Sequence, residues 1–576
     1  MIDAGMKLLL ATLHSRYSHS SLALPSLAAA CSGIAGLSCV IREWTIHEHH
    51  DRLLRGLVAE EADLYGFSCY IWNLEQTLRL VDDLKQILPQ AVIVLGGPEV
   101  SFGTFQLMSA HLAIDCVVRG EGEESFRELA GLVVACRGLP PDELLGKVSG
   151  ITCRREGEII ATSDRPPISC PELFPSPFAA GLVDLTKPLV YVETSRGCPF
   201  SCAFCLSSLD RSVRSHGEQR IREDLSFLME REVATIKLVD RTFNYDPQRA
   251  TEIWEFILRH NRSSMFHFEI AAELLTDDHF RLLGAVPQGI FRFEMGVQSG
   301  DAETLQRVGR KSDPEKLLAA VRRVRRETGV VVHLDLVAGL PGEGYDGFLR
   351  SLELLLAIGP HHIQVEPLKV LKGVPMRRIA AEEGYRYAAA PPYKILSTPW
   401  LSYEEICRIE DLSRLLDLIH NSGRFPRLLK GLEAAGTLSS FFHRSAALFS
   451  GVTEPKSFLD LSDLIHRFLT EIHGECSHLL DLLSFDFCRN EYPATSRLPL
   501  CFGQVVGSRE ARGPGFTGGE TFPAGARIRR FRRIFLKNYL EIPWGEEATE
   551  FLFTYVAKQG EGERVVVERF TKARPV

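Results

Sequence analysis

The sequence predicts an α/β protein in three parts: a doubly wound N-terminal domain, a partial (β/α)6 barrel and a mainly helical C-terminal region. Two successive series of short apolar runs separated by helix-length gaps predict the first two parts. A change beyond about Gly373 to long amphipathic stretches predicts the third. At 576 residues the chain is about four times the usual single-domain length, so separate cores are required. With 45% hydrophobic and 24% charged residues, wholesale disorder is excluded. The net charge of -8 gives no general electrostatic ground for binding nucleic acid or an anionic membrane.

In the first part, residues 7–13, 39–45, 64–68, 91–95 and 116–118 read as strands. Between the third and fourth, apolar positions from Leu74 to Leu88 recur at helical spacing, and Pro89 marks the end. A helical crossover makes the sheet mostly parallel. The run from Leu8 to Leu13 is interrupted by His14 and Arg16 and is far short of the ~20 residues that cross a bilayer, so it is expected to be a buried strand. Fourteen cysteines are too dilute for a disulfide scaffold, and a reducing cytoplasm with no membrane span is expected.

From Arg137 to Pro188 the texture becomes proline-rich, with Glu156-Gly157 as the turn of a hairpin between 151–154 and 158–162. Six strand candidates follow, at 189–194, 235–240, 266–271, 290–297, 330–337 and 363–368. Every gap except the short third one can hold a helix. In such a barrel, function belongs at the C-terminal strand ends. The helical stretches 403–419 and 458–483 come next, then a glycine-rich stretch, 503–519. A basic run with Arg527, Arg529, Arg530, Arg532 and Arg533 follows, read as a solvated face of a strand or short helix or as a patch for an anionic substrate or RNA. The expected divisions are 1–136, a linker 137–187, 188–375 and 376–576.

The most informative residues are Ser195-Arg196-Gly197-Cys198-Pro199-Phe200-Ser201-Cys202-Ala203-Phe204-Cys205, placed just after the first barrel strand. Cys198, Cys202 and Cys205 put three soft thiolates within eight residues, suited to an iron-sulfur cluster or to zinc. A structural zinc would normally have a fourth protein ligand. A four-iron cluster on three thiolates leaves one iron open for chemistry.

This spacing, with the aromatic Phe204 before the last cysteine, resembles the signature of the radical S-adenosylmethionine (SAM) superfamily. The resemblance implies a 4Fe-4S cluster on Cys198, Cys202 and Cys205 as the catalytic metal centre. There the open iron chelates SAM, and one electron cleaves its C–S bond to a 5′-deoxyadenosyl radical. It implies a reductant such as flavodoxin or ferredoxin. Asp335-Leu336-Val337-Ala338-Gly339-Leu340-Pro341-Gly342-Glu343 resembles the family's adenine-side segment, with Val337 and Gly339 as contacts. Phe293-Glu294-Met295-Gly296-Val297-Gln298-Ser299 resembles its ribose segment, with Gln298 and Ser299 as contacts. Asp240-Arg241-Thr242-Phe243-Asn244 stands where relatives grip the methionine amino group or the substrate, without the familiar Gly-Gly-Glu; Asp240 alternatively caps the next helix.

The N-terminal part resembles the flavodoxin-like cobalamin domains of that superfamily. Ser68-Cys69-Tyr70 after the third strand and Gly96-Gly97 after the fourth, with 25 residues between, match the small-residue elements that flank the nucleotide tail, so Ser68, Gly96 and Gly97 are its expected contacts. The Asp-x-His-x-x-Gly element is lacking. His19 is the candidate axial ligand, but Tyr17 stands where the Asp would be and Leu22 where the Gly would be; the other readings are a plain loop or core-edge histidine, in a domain that holds cobalamin without a histidine ligand or is a vestigial fold of the same kind. Gly120-Glu121-Gly122-Glu123 resembles the domain's last turn or is an ordinary helix start with acids at the positive end of the dipole. Cys69 reads as sheet-edge packing, and Cys476, Cys488 and Cys501 as buried thiols. The Pro391-Pro392-Tyr393 turn either borders a substrate cavity or ends a loop.

Together with Leu206-Ser207-Ser208 and Pro367-Leu368-Lys369-Val370-Leu371-Lys372-Gly373, these segments resemble one bacterial branch carrying a C-terminal domain of unknown function. The implied activity is radical modification, with methylation as one form, of an unidentified small-molecule or other substrate. The alternatives are a methylthiotransferase-like RNA-modifying enzyme, which the net charge disfavours, and a non-catalytic iron-sulfur sensor.

Overall fold

The computed structural model of the chain describes residues 5–155, 157–474, 476–493, 497–503, 526–540, 544–545, 547–557 and 563–569. The chain divides into two compact units. One comprises Met1–Tyr345 and Pro367–Tyr403, the other Asp346–Glu366 and Glu404–Val576.

The first unit opens with β1 (Met6–His14), α1 (Ala23–Cys31), β2 (Leu37–Thr45), α2 (His50–Val58), β3 (Leu64–Ser68), α3 (Leu74–Ile87), β4 (Val92–Gly96), α4 (Thr104–Ala110), β5 (Cys116–Val118) and α5 (Gly122–Cys136). The strands pair in the order β2-β1-β3-β4-β5, all parallel. Alternation along the strands supplies two cores. Leu9, Ala11, Tyr65, Phe67, Ile93 and Leu95 face α2, α3 and α4, whereas Leu8, Leu10, Leu64, Val92 and Val94 face α1 and α5. Period-2 burial on both faces is what makes buried parallel strands apolar throughout.

The hairpin of the proline-rich stretch is part of this sheet. β6 (Ile151–Arg155) and β7 (Glu158–Ala161) continue it antiparallel from β5, because Ile151 and Cys153 join the α5-side core. Glu156 lies outside the described residues.

Next in the same unit come β8 (Leu189–Val192), α6 (Glu218–Glu230), β9 (Thr235–Leu238), α7 (Pro247–His260), β10 (Met265–Glu269), β11 (Phe291–Gln298), α8 (Pro314–Glu327) and β12 (Val331–Ala338). They form a parallel β8-β9-β10-β11-β12 sheet. On one face, Phe266, Phe268, Phe291 and Phe293 pack around Trp254 of α7. The other face carries Tyr191, Lys237, His267, Glu269, Glu294, His333 and Asp335 at alternate positions.

The sixth expected strand forms as β13 (His362–Pro367), within the second unit apart from its last residue. There Asn421 pairs both backbone groups of Ile363 through its amide, at 2.9 and 2.8 Å. The unit's helices include α9 (Tyr403–Leu415), α10 (Pro426–Ala434), α11 (Leu438–Phe449), α12 (Phe458–His473) and α13 (Ser477–Asn490). The expected stretch 458–483 is two helices rather than one, since α12 ends at Gly474.

Cys476, Cys488 and Cys501 are buried free thiols. The basic run is a strand, β14 (Arg527–Phe535), in an antiparallel sheet with β15 (Thr549–Ala557) and β16 (Arg564–Arg569), which the expectation of a mainly helical region did not include. Arg529 and Arg532 pair with Glu563 and Glu550, at 2.7 and 3.2 Å, so these two charges are largely offset within the sheet. Apart from Gly503, the glycine-rich 503–519 stretch lies outside the described residues.

Asp486 of α13 caps α10 from across the unit, accepting from the amides of Arg427 and Leu428 at 3.0 and 2.9 Å. These are N–H groups that the helix itself leaves without partners. Burial nevertheless pushes its carboxyl up to about 8 from 3.8. Its favourable contribution is therefore complete below about pH 4 and fades as pH rises to about 8. Asp486→Asn titrates no proton there. Its stability relative to wild type should improve by on the order of 4 kcal/mol between pH 5 and 8.5 in denaturant melts. A difference independent of pH would contradict this assignment.

Candidate active site

The chain leaving β8 enters the cysteine loop under several constraints. Gly197 has φ of 88°, and a Cβ there would stand 2.2 Å from the Ser212 carbonyl oxygen, so only glycine fits. The Cys198 amide donates to the Asp210 carbonyl at 3.0 Å, the Ala203 amide to Val308 at 2.8 Å, and the Ser201 hydroxyl to Gly309 at 3.1 Å. Arg196 reaches back to Glu123 at 2.5 Å and Glu193 at 2.8 Å, and Arg214 to Glu121 at 2.6 Å. The acids of the Gly120–Glu123 turn therefore bind the arginines that flank the triad.

Asp240 at the end of β9 is fully buried. It accepts from the Thr194 amide at 3.1 Å, the Thr194 hydroxyl at 2.6 Å and the Ser195 hydroxyl, with Arg249 at 3.5 Å. Burial raises its carboxyl above the usual range, while Arg249 and the hydroxyl donors oppose that rise. The helix-cap reading of Asp240 is thus replaced: Asp246 caps α7, accepting from the amides of Gln248 and Arg249.

Cys198, Cys202 and Cys205 are free thiols. Cys198 Sγ lies 3.4 Å from the Thr242 hydroxyl. Burial raises the Cys202 thiol, the neighbouring Cys205 and Cys198 add to that, and Arg310 opposes it. Among the described residues, the triad is not a group whose donor atoms all lie within 4.8 Å of one another. Thiolates on a single zinc would stand about 3.8 Å apart. At least one pair of these sulfurs is therefore farther apart than a single zinc would hold them. Phe204 is half-buried beside Cys205.

At the end of β11 the register shifts between Gly296 and Gln298, and Gln298 takes φ of 69°. Its side-chain oxygen is buried without a hydrogen-bond partner, a position that costs about 1–3 kcal/mol unless a ligand donor satisfies it. Ser299 is already engaged: its hydroxyl donates to Glu343 at 2.7 Å and accepts from the Asp301 amide at 3.0 Å. Val337 is half-buried on the same strand face as His333 and Asp335. Gly339 follows β12 with its would-be Cβ against Ile395, and its carbonyl accepts from the Tyr385 hydroxyl at 3.1 Å.

In the N-terminal domain Ser68 and Gly96 stand opposite each other in register at the C-terminal ends of β3 and β4. The backbone of Cys69 crosses 2.6 Å from where a Cβ on Gly97 would sit, whereas nothing comes nearer than 3.8 Å to that of Gly96. An edge of small residues, where even a Cβ at Gly96 would only touch Val118, is compatible with a nucleotide tail. His14 is paired with Glu43 at 2.7 Å. His19 lies with Nδ1 2.5 Å from the Tyr191 hydroxyl of β8. Burial lowers its pKa, and His14 adds to that. Tyr191 thus takes the place beside the ring where an acidic partner was sought. Tyr393 is buried, with its hydroxyl on Glu99, which also pairs with Lys372 at 2.8 Å.

The sequence reading missed Tyr191, Lys237, His267, Glu269, Glu294 and His333. Their signal was available: Phe-His-Phe-Glu and Phe-Arg-Phe-Glu interrupt strands that should be apolar on both faces. Burial raises Glu269 to about 7, with Arg241 and Lys237 opposing. Burial would also raise Glu294, but His267 and Lys237 outweigh it and hold that carboxylate well below its usual range.

Three family matches tile the chain: the B12 binding domain over residues 8–130, the radical SAM superfamily over 192–355, and a protein family of unknown function (DUF4080) over 381–510. The chain is a radical SAM protein with a B12-binding domain. This radical SAM protein is 26% identical over 367 residues to the 2-(S-pantetheinyl)-carbapenam-3-carboxylate methyltransferase of Streptantibioticus cattleyicolor, covering 59% of this chain and 51% of the relative. It is 24% identical over 358 residues to the cobalamin-dependent radical SAM methyltransferase TokK of Streptomyces tokunonensis, with the same coverages. The match therefore spans about half the length of these relatives. In fold it resembles the cobalamin-dependent radical SAM enzyme OxsB, solved with aqua-cobalamin and SAM, at a TM-score of 0.57 and 16% identity, over 84% of this chain and 78% of that one.

Gly197→Ala should force the Ser212 carbonyl and the triad loop apart. After anaerobic reconstitution, cluster absorbance and iron content should fall to about a tenth of wild type or less, while the far-ultraviolet circular dichroism is retained. Normal iron loading would show that the loop tolerates the displacement.

Proposed function

We propose that this radical SAM protein is a cobalamin-dependent enzyme that modifies an unidentified substrate through a carbon-centred radical, with methyl transfer as the net reaction. The observation that carries the reading is the three-thiol loop, without a fourth cysteine, at the C-terminal end of the first barrel strand. That loop is tied through Arg196 and Arg214 to the domain matched as B12-binding. The methyltransferase relatives support the choice of methyl transfer. The family implies a 4Fe-4S cluster, SAM and cobalamin as cofactors.

When bound, the cluster and SAM supply reductive C–S cleavage to a primary carbon radical, and cobalamin supplies a transferable methyl group. This chain's residues would do the holding. Cys198, Cys202 and Cys205 would ligate the cluster. Asp240, through Thr194 and Ser195, keeps the strand entering their loop in place. Gln298 offers SAM an acceptor that the fold leaves unsatisfied. Val337 and the backbone at Gly339 would border the adenine. The small edge at Ser68, Gly96 and Gly97 would take the nucleotide tail of cobalamin, and His19, held by Tyr191, would be the side chain offered to its cobalt. The reductant would be a small electron carrier such as flavodoxin or ferredoxin. Among the described residues, no helix is long and apolar enough to cross a membrane.

Anaerobic reconstitution tests this. The chain should take up about four iron, four sulfide and one cobalt, and with dithionite and SAM should release 5′-deoxyadenosine or S-adenosylhomocysteine. Replacing all three triad cysteines with alanine should abolish both iron uptake and nucleoside release. A chain that holds the cluster but never consumes SAM would instead be a sensor.

Gln298→Ala should weaken SAM binding about tenfold with little change in cluster content, measured by equilibrium dialysis. Unchanged affinity would remove Gln298 from the SAM site.

A further inference from the structure

The polar face of the barrel carries a second constellation. His267 of β10, Glu294 of β11 and His333 of β12 come from three adjacent parallel strands, with Glu294 directly opposite His333 in register. Their donor atoms all lie within 4.8 Å of one another, and among the described residues no other group of three histidine, cysteine or acidic side chains converges in this way. His267 Nε2 is 2.8 Å from Glu294 Oε2, and His333 Nε2 is 3.1 Å from Asp335 Oδ1. Both histidines are about nine-tenths buried. Although Glu294 is so close, His267 Nε2 makes no well-directed hydrogen bond. The ring nitrogen is thus close to the carboxylate without being satisfied by it.

Donors around one first-row ion at ~2.1 Å stand about 3–3.5 Å apart, so the trio needs only side-chain adjustment to close on one. Two imidazoles and a carboxylate form the donor set of a borderline divalent ion with open positions. Glu294 lies four residues before Gln298, about 13 Å along the strand, which separates this group from the strand ends that carry the SAM candidates. Lys237 Nζ now sits 2.8 Å from Glu294 Oε2 and 3.8 Å from Glu269 Oε1. The spot already holds a positive charge, and an entering ion would have to displace that ammonium.

We propose that His267, Glu294 and His333 bind one divalent transition-metal ion of the zinc or ferrous type, independent of the cysteine triad. Asp335 is the adjacent fourth donor, and the remaining position is left for an oxygen-bearing group of a ligand. Lys237 is the competing cation that sets the affinity. The proposal rests on the trio's convergence alone and stands or falls apart from the radical reading.

The test uses the full chain, cluster-reconstituted and chelator-washed, titrated with zinc alone and analysed by metal content and by competition with a chromophoric chelator. Wild type should bind one zinc equivalent beyond the cluster iron. His267→Gln and His333→Gln should each weaken that binding at least about a hundredfold while keeping cluster absorbance, which reports the fold. Lys237→Met should tighten it about tenfold. The triple cysteine-to-alanine variant should keep it, and cobalt in that variant should give ligand-field bands that His267→Gln removes. Zinc that follows the cysteines, survives both histidine variants, or fails to bind stoichiometrically at micromolar concentration overturns the proposal.

Discussion

The buried carboxylate of Asp240 is the contact on which the candidate centre depends. It gathers the amide and hydroxyl of Thr194 and the hydroxyl of Ser195, the residues just before Arg196 and the cysteine loop, and holds them against the end of the neighbouring strand. A carboxylate removed from water is costly, and Arg249 together with three donors offsets that cost only if the strand ends stay in register. The arrangement ties the strand-to-loop junction that leads to the three thiols to the end of the neighbouring strand. Glycine at 197 then lets the chain turn where no side chain could pass.

A second constraint follows from the barrel sheet itself. Parallel strands covered by helices are usually apolar on both faces, yet here one face is a stack of phenylalanines around Trp254 and the other a row of ionisable groups. Such a row survives only when its charges are mutually paired, as Lys237, Glu294, His267 and Glu269 are. The sheet therefore keeps its aromatic packing on one face and its ionisable groups on the other.

Local signals made much of this legible. The five parallel strands of the N-terminal sheet and those of the barrel announce themselves by short apolar runs, and the triad by spacing alone. What depends on partners far apart in sequence did not show. Tyr191 meets His19 across 172 positions, so the ring's partner was invisible from the loop motif. Asp240 read either as part of a segment that grips the methionine amino group or the substrate or as a helix cap; its anchoring of Thr194 and Ser195 depends on tertiary donors that the local sequence does not show. The hairpin at 151–161 read as part of a linker because its burial comes from the free edge of β5, not from its own composition. The polar barrel face is written in alternate residues of three strands and becomes a site only through their register.

The central claim is that three thiolates leave one iron free to bind SAM directly. Electron paramagnetic resonance of the reduced, reconstituted protein with SAM labelled with nitrogen-15 at its amino group tests this most directly. SAM should change the cluster's spectrum, and the label should show a hyperfine coupling through a direct bond. A cluster spectrum indifferent to SAM, with no coupling to the label, would contradict that claim.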